Sequence, residues 1–330
     1  MSTTISPQAS AGITPLLHQI QSYWQKLQTL ETLAPGHGYD EIGHGICNLV
    51  LSPHYTVEQK SACIAALEND APQILHDIQN ASIRSEMALE STLMEAASQH
   101  LQPPKDCDSA ADFNQKTRAR KKALDELLAD HPFSWAEPRT HDECWLLENA
   151  TATSKPGPGK QVIYWGRSML PFSALHMHYL TQAQIIWLDP ETASANKGAA
   201  FVRKLADNNY LDSYEAIQIH HFASQDRFDR YFDIQKTAGF IILDSELITE
   251  SGLKAIDELG IDKVIATDTN SLAKLMYPPA DTGILSKQRK HSASVYPHHC
   301  DLAGTTGQAD VKRSESPYQF TTLHCFTQIS

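Results

Sequence analysis

Residues 160–189 decide the fold. Lys160-Gln-Val-Ile-Tyr-Trp-Gly-Arg-Ser-Met-Leu-Pro-Phe-Ser173 is followed by a helix-like segment, and then by Gln184-Ile-Ile-Trp-Leu-Asp189. Val162–Trp165 is a short apolar, β-branched and aromatic run of the kind a buried parallel strand needs. Gly166 breaks it. Pro171–Leu180 has the length and apolar spacing of a helix, and Ile185–Leu188 is a second buried strand closed by Asp189. Strand, glycine turn, helix, strand and terminal acid form the first half of a Rossmann-type nucleotide site. In such a site the turn brings backbone N–H groups to the ligand, and the acid can hold ribose hydroxyls. The same pattern also fits a βαβ unit that binds no nucleotide, because the usual G-x-G reads Gly166-Arg167-Ser168 here.

Outward from this unit, strands and helices alternate. Candidate strands are Val162–Trp165, Ile185–Leu188, Ala216–His220, Phe240–Leu243, Lys263–Ala266, Ser292–Tyr296 and Phe320–Thr327. Helices fit between the first five, including Ala193–Asp207 and Thr249–Leu259. Five alternating units followed by two strands predict an α/β class, the Rossmann-like class I SAM-dependent transferase fold, with its last strands as an antiparallel edge. The polar stretch 297–317 reads as an insertion.

Before residue 150 the period is helical. Leu16, Leu17, Ile20, Trp24 and Leu27 share one face, and Pro35-Gly-His-Gly38 ends that helix. A second helix is expected over Asp40–Leu51. A third should start at the capping-box spacing Thr56-Val-Glu-Gln59. A long one spans Ile74–His100, closed by Pro103-Pro104, and Asp112–Leu128 reads as a solvated helix with Arg118-Ala-Arg-Lys-Lys122 on its wet face. Thr151–Gly159, with two prolines and two glycines, reads as a linker. The expected organisation is an N-terminal all-helical domain, 1–150, forming the substrate side of a cleft, and a Rossmann-like domain, 151–330.

Composition narrows the function. With 330 residues and 41% apolar content the chain can bury a sizeable core. Acidic residues exceed basic ones by 39 to 27, a formal charge of −12, which argues against nucleic acid and anionic membrane as partners. The opening Met-Ser-Thr-Thr-Ile-Ser-Pro-Gln has neither the basic nor the apolar region of a signal peptide, and no run is long enough for a membrane span. The six scattered cysteines then read as reduced thiols of a cytoplasmic protein. Of the sixteen histidines, His298-His299-Cys300 is the best cluster, but without a second spaced pair it is a poor zinc signal, and no metal is expected.

At Gly166-Arg-Ser-Met-Leu-Pro-Phe-Ser173 the sequence resembles the nicotianamine synthase-like family, whose turn reads roughly G-S-G-P-L-P-L-T; Leu170 and Pro171 stand at its L-P. Further matches keep the family's order. Asp189 stands at its acid after the second strand. Asn270-Ser-Leu-Ala-Lys-Leu-Met-Tyr-Pro278 resembles its G-L-R-x-x-L-Y-P, and Val295-Tyr-Pro its V-Y-H-P. Ser85-Glu-Met-Ala-Leu-Glu90 resembles its A-E-Y-A-L-E helix. Leu33-Ala-Pro35 through Leu49-Val50 resembles its L-S-P-S-P and F-T-E-L-V. Departures are Ser168 for the second turn glycine, Arg167 within the turn, Trp165 before it, and only a loose match of Ala136–Cys144 to the N-Y-V-x-L-x-R-L-E segment.

The resemblance implies a helical domain packed on a SAM-binding domain, with S-adenosylmethionine as co-substrate. The implied reaction moves the 3-amino-3-carboxypropyl (aminobutanoyl) group to an amine, releasing 5′-methylthioadenosine, as in the making of nicotianamine- or opine-type metallophores. A histidine-like amino acid is the favoured acceptor, and a homodimer is one assembly left open. A carboxylate near the acceptor amine can orient it and take its proton. Glu86 matches the family's catalytic glutamate, and Glu90 stands one helical turn away on the same face; both also fit plain solvated helix positions. Tyr277 belongs to the Leu-Met-Tyr-Pro match and is either a lining or a core residue. The cofactor positions are Gly166, Arg167, Ser168 and Leu170 in the turn, Asp189 at the ribose or as a strand-end cap, and Asp226 in the adenine region or as a helix cap. Leu243, Asp244 and Ser245, with Glu246, stand at the end of the fourth strand, where Asp244 or Glu246 can meet the SAM amino group. A methyltransferase on the same fold and a repurposed, non-catalytic relative are the competing readings.

Overall fold

The computed structural model describes residues 12–35, 38–105, 107, 112–129, 156–167, 171–222, 228, 230–242, 247–269, 271–295 and 321–328. The first part is helical: α1 Thr14–Leu27, α2 Gly38–Leu51, α3 Val57–Asp70, α4 Pro72–His100 and α5 Phe113–Ala129. Then follow β1 Gln161–Trp165, α6 Phe172–Thr181, β2 Gln184–Asp189, α7 Thr192–Asp207, β3 Ile217–His221 and β4 Thr237–Ile242. The chain continues through α8 Glu250–Glu258, β5 Lys263–Thr269, a 3-10 turn Ser271–Leu275, α9 Thr282–Gln288, β6 Arg289–Val295 and β7 Thr321–Gln328.

One seven-stranded sheet has the order β3-β2-β1-β4-β5-β7-β6. Strands β1 to β5 pair in parallel, and β7 lies antiparallel between β5 and β6. This is the expected class I SAM-dependent transferase fold. The chain reverses its direction of growth between β1 and β4, and the crevice there at the strands' carboxyl ends is where such sheets take ligands. Every residue of β1 is buried, as helices on both faces require. Val162 and Tyr164 of β1, with Ile185 and Trp187 of β2, join an apolar cluster that runs without a break into α1–α4. Ile163, Trp165, Ile186 and Leu188 join the other cluster, with Leu253 and Ile256 of α8. Among the described residues no helix is long and apolar enough to cross a membrane.

Local rules explain the helix ends. The capping box at α3 forms: Gln59 N donates to Thr56 Oγ1 at 3.3 Å, and Thr56 N to Gln59 Oε1 at 2.9 Å. Helix α4 starts two residues earlier than its apolar pattern, because Pro72 is preorganised for a first turn. Lys60 is buried with its ammonium on the last carbonyls of α2, Val50 O at 2.6 Å and Ser52 O at 2.9 Å. A cation there satisfies orphan acceptors and the negative end of the helix dipole.

Two expectations fail for the same reason, an arginine used inside. Arg120 is not on a wet face of α5: it is 2% exposed and donates to Asn209 O at 2.9 Å and Asp212 at 2.6 Å. It thereby ties α5 to the loop between α7 and β3. Strand β6 begins at Arg289 rather than Ser292. That guanidinium is fully buried and donates to Asp262 O at 2.8 Å and Ile261 O at 2.7 Å, while pairing with Asp257.

Beside Arg120 lies the buried His178, its Nδ1 on Ala183 O at 2.8 Å and Phe113 edge-on to its ring. Burial holds His178 below the ordinary histidine range; the Ala183 bond and Asp212 oppose this, and Arg120 adds to it. The unfolded chain therefore takes up a proton near pH 6.5 that the folded chain refuses until lower pH. This contribution to stability is complete above that value and is lost as pH falls below it. Calorimetry is expected to show a fall in Tm between pH 7.5 and 5.5 that His178→Gln reduces by about 1–3 °C. An identical fall in both proteins would assign it to other groups, such as the half-buried His220, which burial also lowers.

Candidate active site at the carboxyl edge of the sheet

The turn after β1 is held from β2. Gly166 N donates to Leu188 O at 3.1 Å, and Trp187 Nε1 donates to Gly166 O at 2.8 Å. Trp187 is 1% exposed and stacks on Tyr164, centroids 5.2 Å apart. The indole thus fixes the first peptide of the turn from below. Trp165, one residue earlier, points to the opposite face because side chains alternate along a strand. Its ring packs edge-on against Phe228 at 5.1 Å and Phe222 at 6.3 Å. It also lies over Gly252 of α8, where an added Cβ would stand 2.9 Å from Trp165 Cη2. The tryptophan is therefore taken up by the core beneath the turn. Arg167 is half-buried beyond it.

Asp189 is fully buried. Its carboxylate accepts Glu191 N at 2.7 Å and Ser194 Oγ at 2.5 Å, and its carbonyl accepts Phe222 N at 2.8 Å. These bonds close β2 and tie it to the first turn of α7.

Glu86 stands on a half-buried face of α4 that is turned towards α2 and the turn after β5. Along that face Gln79 Nε2 donates to Lys274 O at 2.7 Å, in the 3-10 turn after β5, and Ser82 Oγ shares a short hydrogen bond with Tyr39 of α2. Half-buried Glu86 follows one turn later, within electrostatic reach of Tyr39 and Cys47. Cys47 in turn meets Met276 just after the 3-10 turn, Sγ to Sδ 3.9 Å. Further along α4, Ser91 Oγ accepts Lys197 Nζ of α7 at 2.7 Å. The twelve residues from Gln79 to Ser91 span about 18 Å. The three gaps from β5 across β4 and β1 to β2 span about 14 Å. Helix α4 therefore bridges the carboxyl edge from the β5 side to the β2 side, with Glu86 between the two anchors.

Burial, then the neighbouring Cys47 and Glu86, push the Tyr39 phenol far above its ordinary value against the pull of the Ser82 bond. Burial first, and then the Glu86 charge, push the Cys47 thiol up to about 12. Both stay protonated near neutral pH. Glu86 is thus the carboxylate beside two neutral hydrogen-bonding groups.

The remaining expected positions divide plainly. Glu90 is half-buried one turn beyond Glu86. Tyr277 is 5% exposed and belongs to the apolar core next to Met276, so its ring packs at the foot of this cluster. Ser168, Leu170, Asp226, Leu243, Asp244, Ser245 and Glu246 lie outside the described residues, as do His298-His299-Cys300 and Ala136–Cys144. Sequence reasoning missed Tyr39, Ser82 and Cys47. Their only signal was position: Ser82 lies one turn before Glu86, while Tyr39 and Cys47 lie in the Leu33–Val50 stretch already matched by resemblance.

No protein-family model and no curated protein matches the chain. Solved structures do. A structure of MtNAS in complex with MTA and tNA superposes with a TM-score of 0.63 at 11% identity, over 95% of this chain and 98% of that one. A glutamate-to-glutamine variant of MtNAS in complex with S-adenosylmethionine gives 0.60 at 12% identity over the same shares. The likeness takes in the helices before residue 130 as well as the sheet, so the chain has a nicotianamine synthase-like fold, a Rossmann-like class I sheet with helices before it.

Proposed function

We propose that the chain is a cytoplasmic, S-adenosylmethionine-dependent aminobutanoyltransferase. The observation that carries this reading is the place of Glu86. It stands on α4 between anchors on both sides of the carboxyl edge, in a chain of which 95% superposes on MtNAS. A methyl transfer needs only the sheet and its crevice, and gives no reason for a carboxylate-bearing helix laid across that edge.

In the proposed reaction the neutral amine of an amino-acid acceptor, histidine-like by preference, attacks the γ-carbon of the aminocarboxypropyl group. A new N–C bond forms and the C–S bond breaks. Its electron pair goes to sulfur, and 5′-methylthioadenosine leaves as a neutral thioether. The ammonium proton passes to Glu86. The leaving group needs no acid, so the protein's work is in-line positioning and deprotonation. Gly166, its carbonyl fixed by Trp187, gives the backbone approach for the co-substrate. The product class is a metallophore precursor of the nicotianamine or opine type.

The test is the product. Incubation with S-adenosylmethionine and histidine, then other amino acids, is expected to release 5′-methylthioadenosine and add one aminobutanoyl unit to the acceptor. Mass spectrometry finding S-adenosylhomocysteine and a methylated acceptor would overturn the reaction class.

A further inference from the structure

A concave site lies on the side of α4 opposite Glu86. A groove of about 550 Å³ is bounded by the chain from Leu27 to Leu33 and by Asp77, Asn80, Ala81 and Arg84 of α4. Arg84 and Glu86 are two positions apart, about 200° around the helix, so the groove and the Glu86 cluster face opposite ways. A helix with its side chains is about 10 Å across, so a ligand in the groove is out of reach of the Glu86 carboxylate.

The groove is built rather than incidental. Asp77 accepts from Trp24 Nε1 at 2.9 Å, Gln28 Nε2 at 3.2 Å and Gln73 Nε2 at 2.5 Å, which fixes the end of α1 to α4. Beyond it, Ala34 N donates to Thr32 Oγ1 at 3.1 Å. The Leu30 side chain occupies the space a Cβ at Gly38 would need. Leu27, Leu30 and Leu33 are half-buried along one wall.

Its charges are left over. Among the described residues neither Arg84 nor Glu31 takes part in a hydrogen bond or ion pair, while Asp77 is met only by neutral donors. One free guanidinium and one free carboxylate thus border a concave surface with an apolar wall. A guanidinium suits a carboxylate in bidentate fashion, and the anionic side suits an ammonium.

We propose that this groove binds a free α-amino acid with an apolar side chain. Its carboxylate lies on Arg84, its ammonium on Glu31, and its side chain along Leu27, Leu30 and Leu33. The bound molecule does not react. It clamps the α1–α2 connection to α4, the helix that carries Glu86 on its far side, and so can modulate that helix.

Isothermal titration calorimetry of the full chain with L-leucine, in the absence of S-adenosylmethionine, tests it. Saturable binding is expected, weakened about tenfold or more for L-leucinamide, which lacks the carboxylate, and for N-acetyl-L-leucine, which lacks the ammonium. Arg84→Gln should weaken leucine to the same degree and leave leucinamide unchanged; Glu31→Gln should weaken leucine and leave N-acetyl-leucine unchanged. Both side chains are exposed, so both variants should keep the parent Tm. No saturation by leucine, equal binding of the three ligands, or variants that bind as the parent does would each overturn the site. An Arg84→Gln protein that loses transfer activity in step with leucine affinity would overturn the non-reacting role. The titration holds no co-substrate, so its failure leaves the transfer reaction standing, and failure of that reaction leaves the groove standing.

Discussion

Glu86→Gln is expected to slow turnover by about 10²–10⁴-fold, the usual worth of a positioned general base, while S-adenosylmethionine affinity changes little. The size of the effect follows from what surrounds the carboxylate. Tyr39 and Cys47 are ionisable groups placed beside it, and burial keeps both protonated, the thiol with a value of about 12. Neither can take a proton from an ammonium near neutral pH, so neither of them substitutes for the lost carboxylate. Glutamine keeps the side chain's length and shape, so packing on α4 is retained and the loss is confined to charge and basicity. Single-turnover kinetics with the co-substrate in excess, alongside calorimetric affinities, separates the two. Full activity in Glu86→Gln would remove the residue from the mechanism while leaving the reaction class open to the product analysis.

The readable parts of the chain were those where one local rule decides the outcome. The capping box at Thr56–Gln59 formed as spaced, since its two hydrogen bonds depend only on residues three apart. The β1–turn–β2 unit was legible because buried parallel strands are apolar at every position. The antiparallel edge followed from the order of elements. The misreadings came from long-range polar contacts. Arg118–Lys122 looks like a wet stripe, yet Arg120 turns inward because Asn209 O and Asp212, about ninety residues later, accept its bonds. Arg289 extends β6 for the same kind of reason, by bonding the loop that leads into β5. At the site, the position of Asp189 suits both a ribose ligand and a strand-end cap, and its bonds to Glu191 N and Ser194 Oγ are not announced by the strand pattern that singled it out. Glu86 was singled out by resemblance alone; a glutamate on a long polar helix carries no local mark of what faces it.

Trp165→Ala is expected to cost about 3–5 kcal/mol of stability, the range for removing a large buried aromatic side chain. The ring is 2% exposed, has Phe228 and Phe222 edge-on, and fills the surface over Gly252. Its removal opens a cavity under the turn, and the loosened turn should weaken the co-substrate as well. The opposite result would be informative: if the indole filled the nucleotide space, Trp165→Ala would tighten binding. Gly252→Ala probes the same contact from α8. Its new methyl would stand 2.9 Å from Cη2 and 3.2 Å from Cζ3 of a ring held by two phenylalanines, so overpacking should cost about 1–3 kcal/mol. In a Trp165→Phe background both of those ring atoms are gone, and the Gly252→Ala penalty should shrink by more than the few tenths of a kcal/mol expected of independent sites. Denaturant unfolding of the four proteins of that cycle measures the coupling. Strict additivity would mean that the indole does not rest on α8, and that the bulk before the glycine turn has to be accommodated on the ligand side instead.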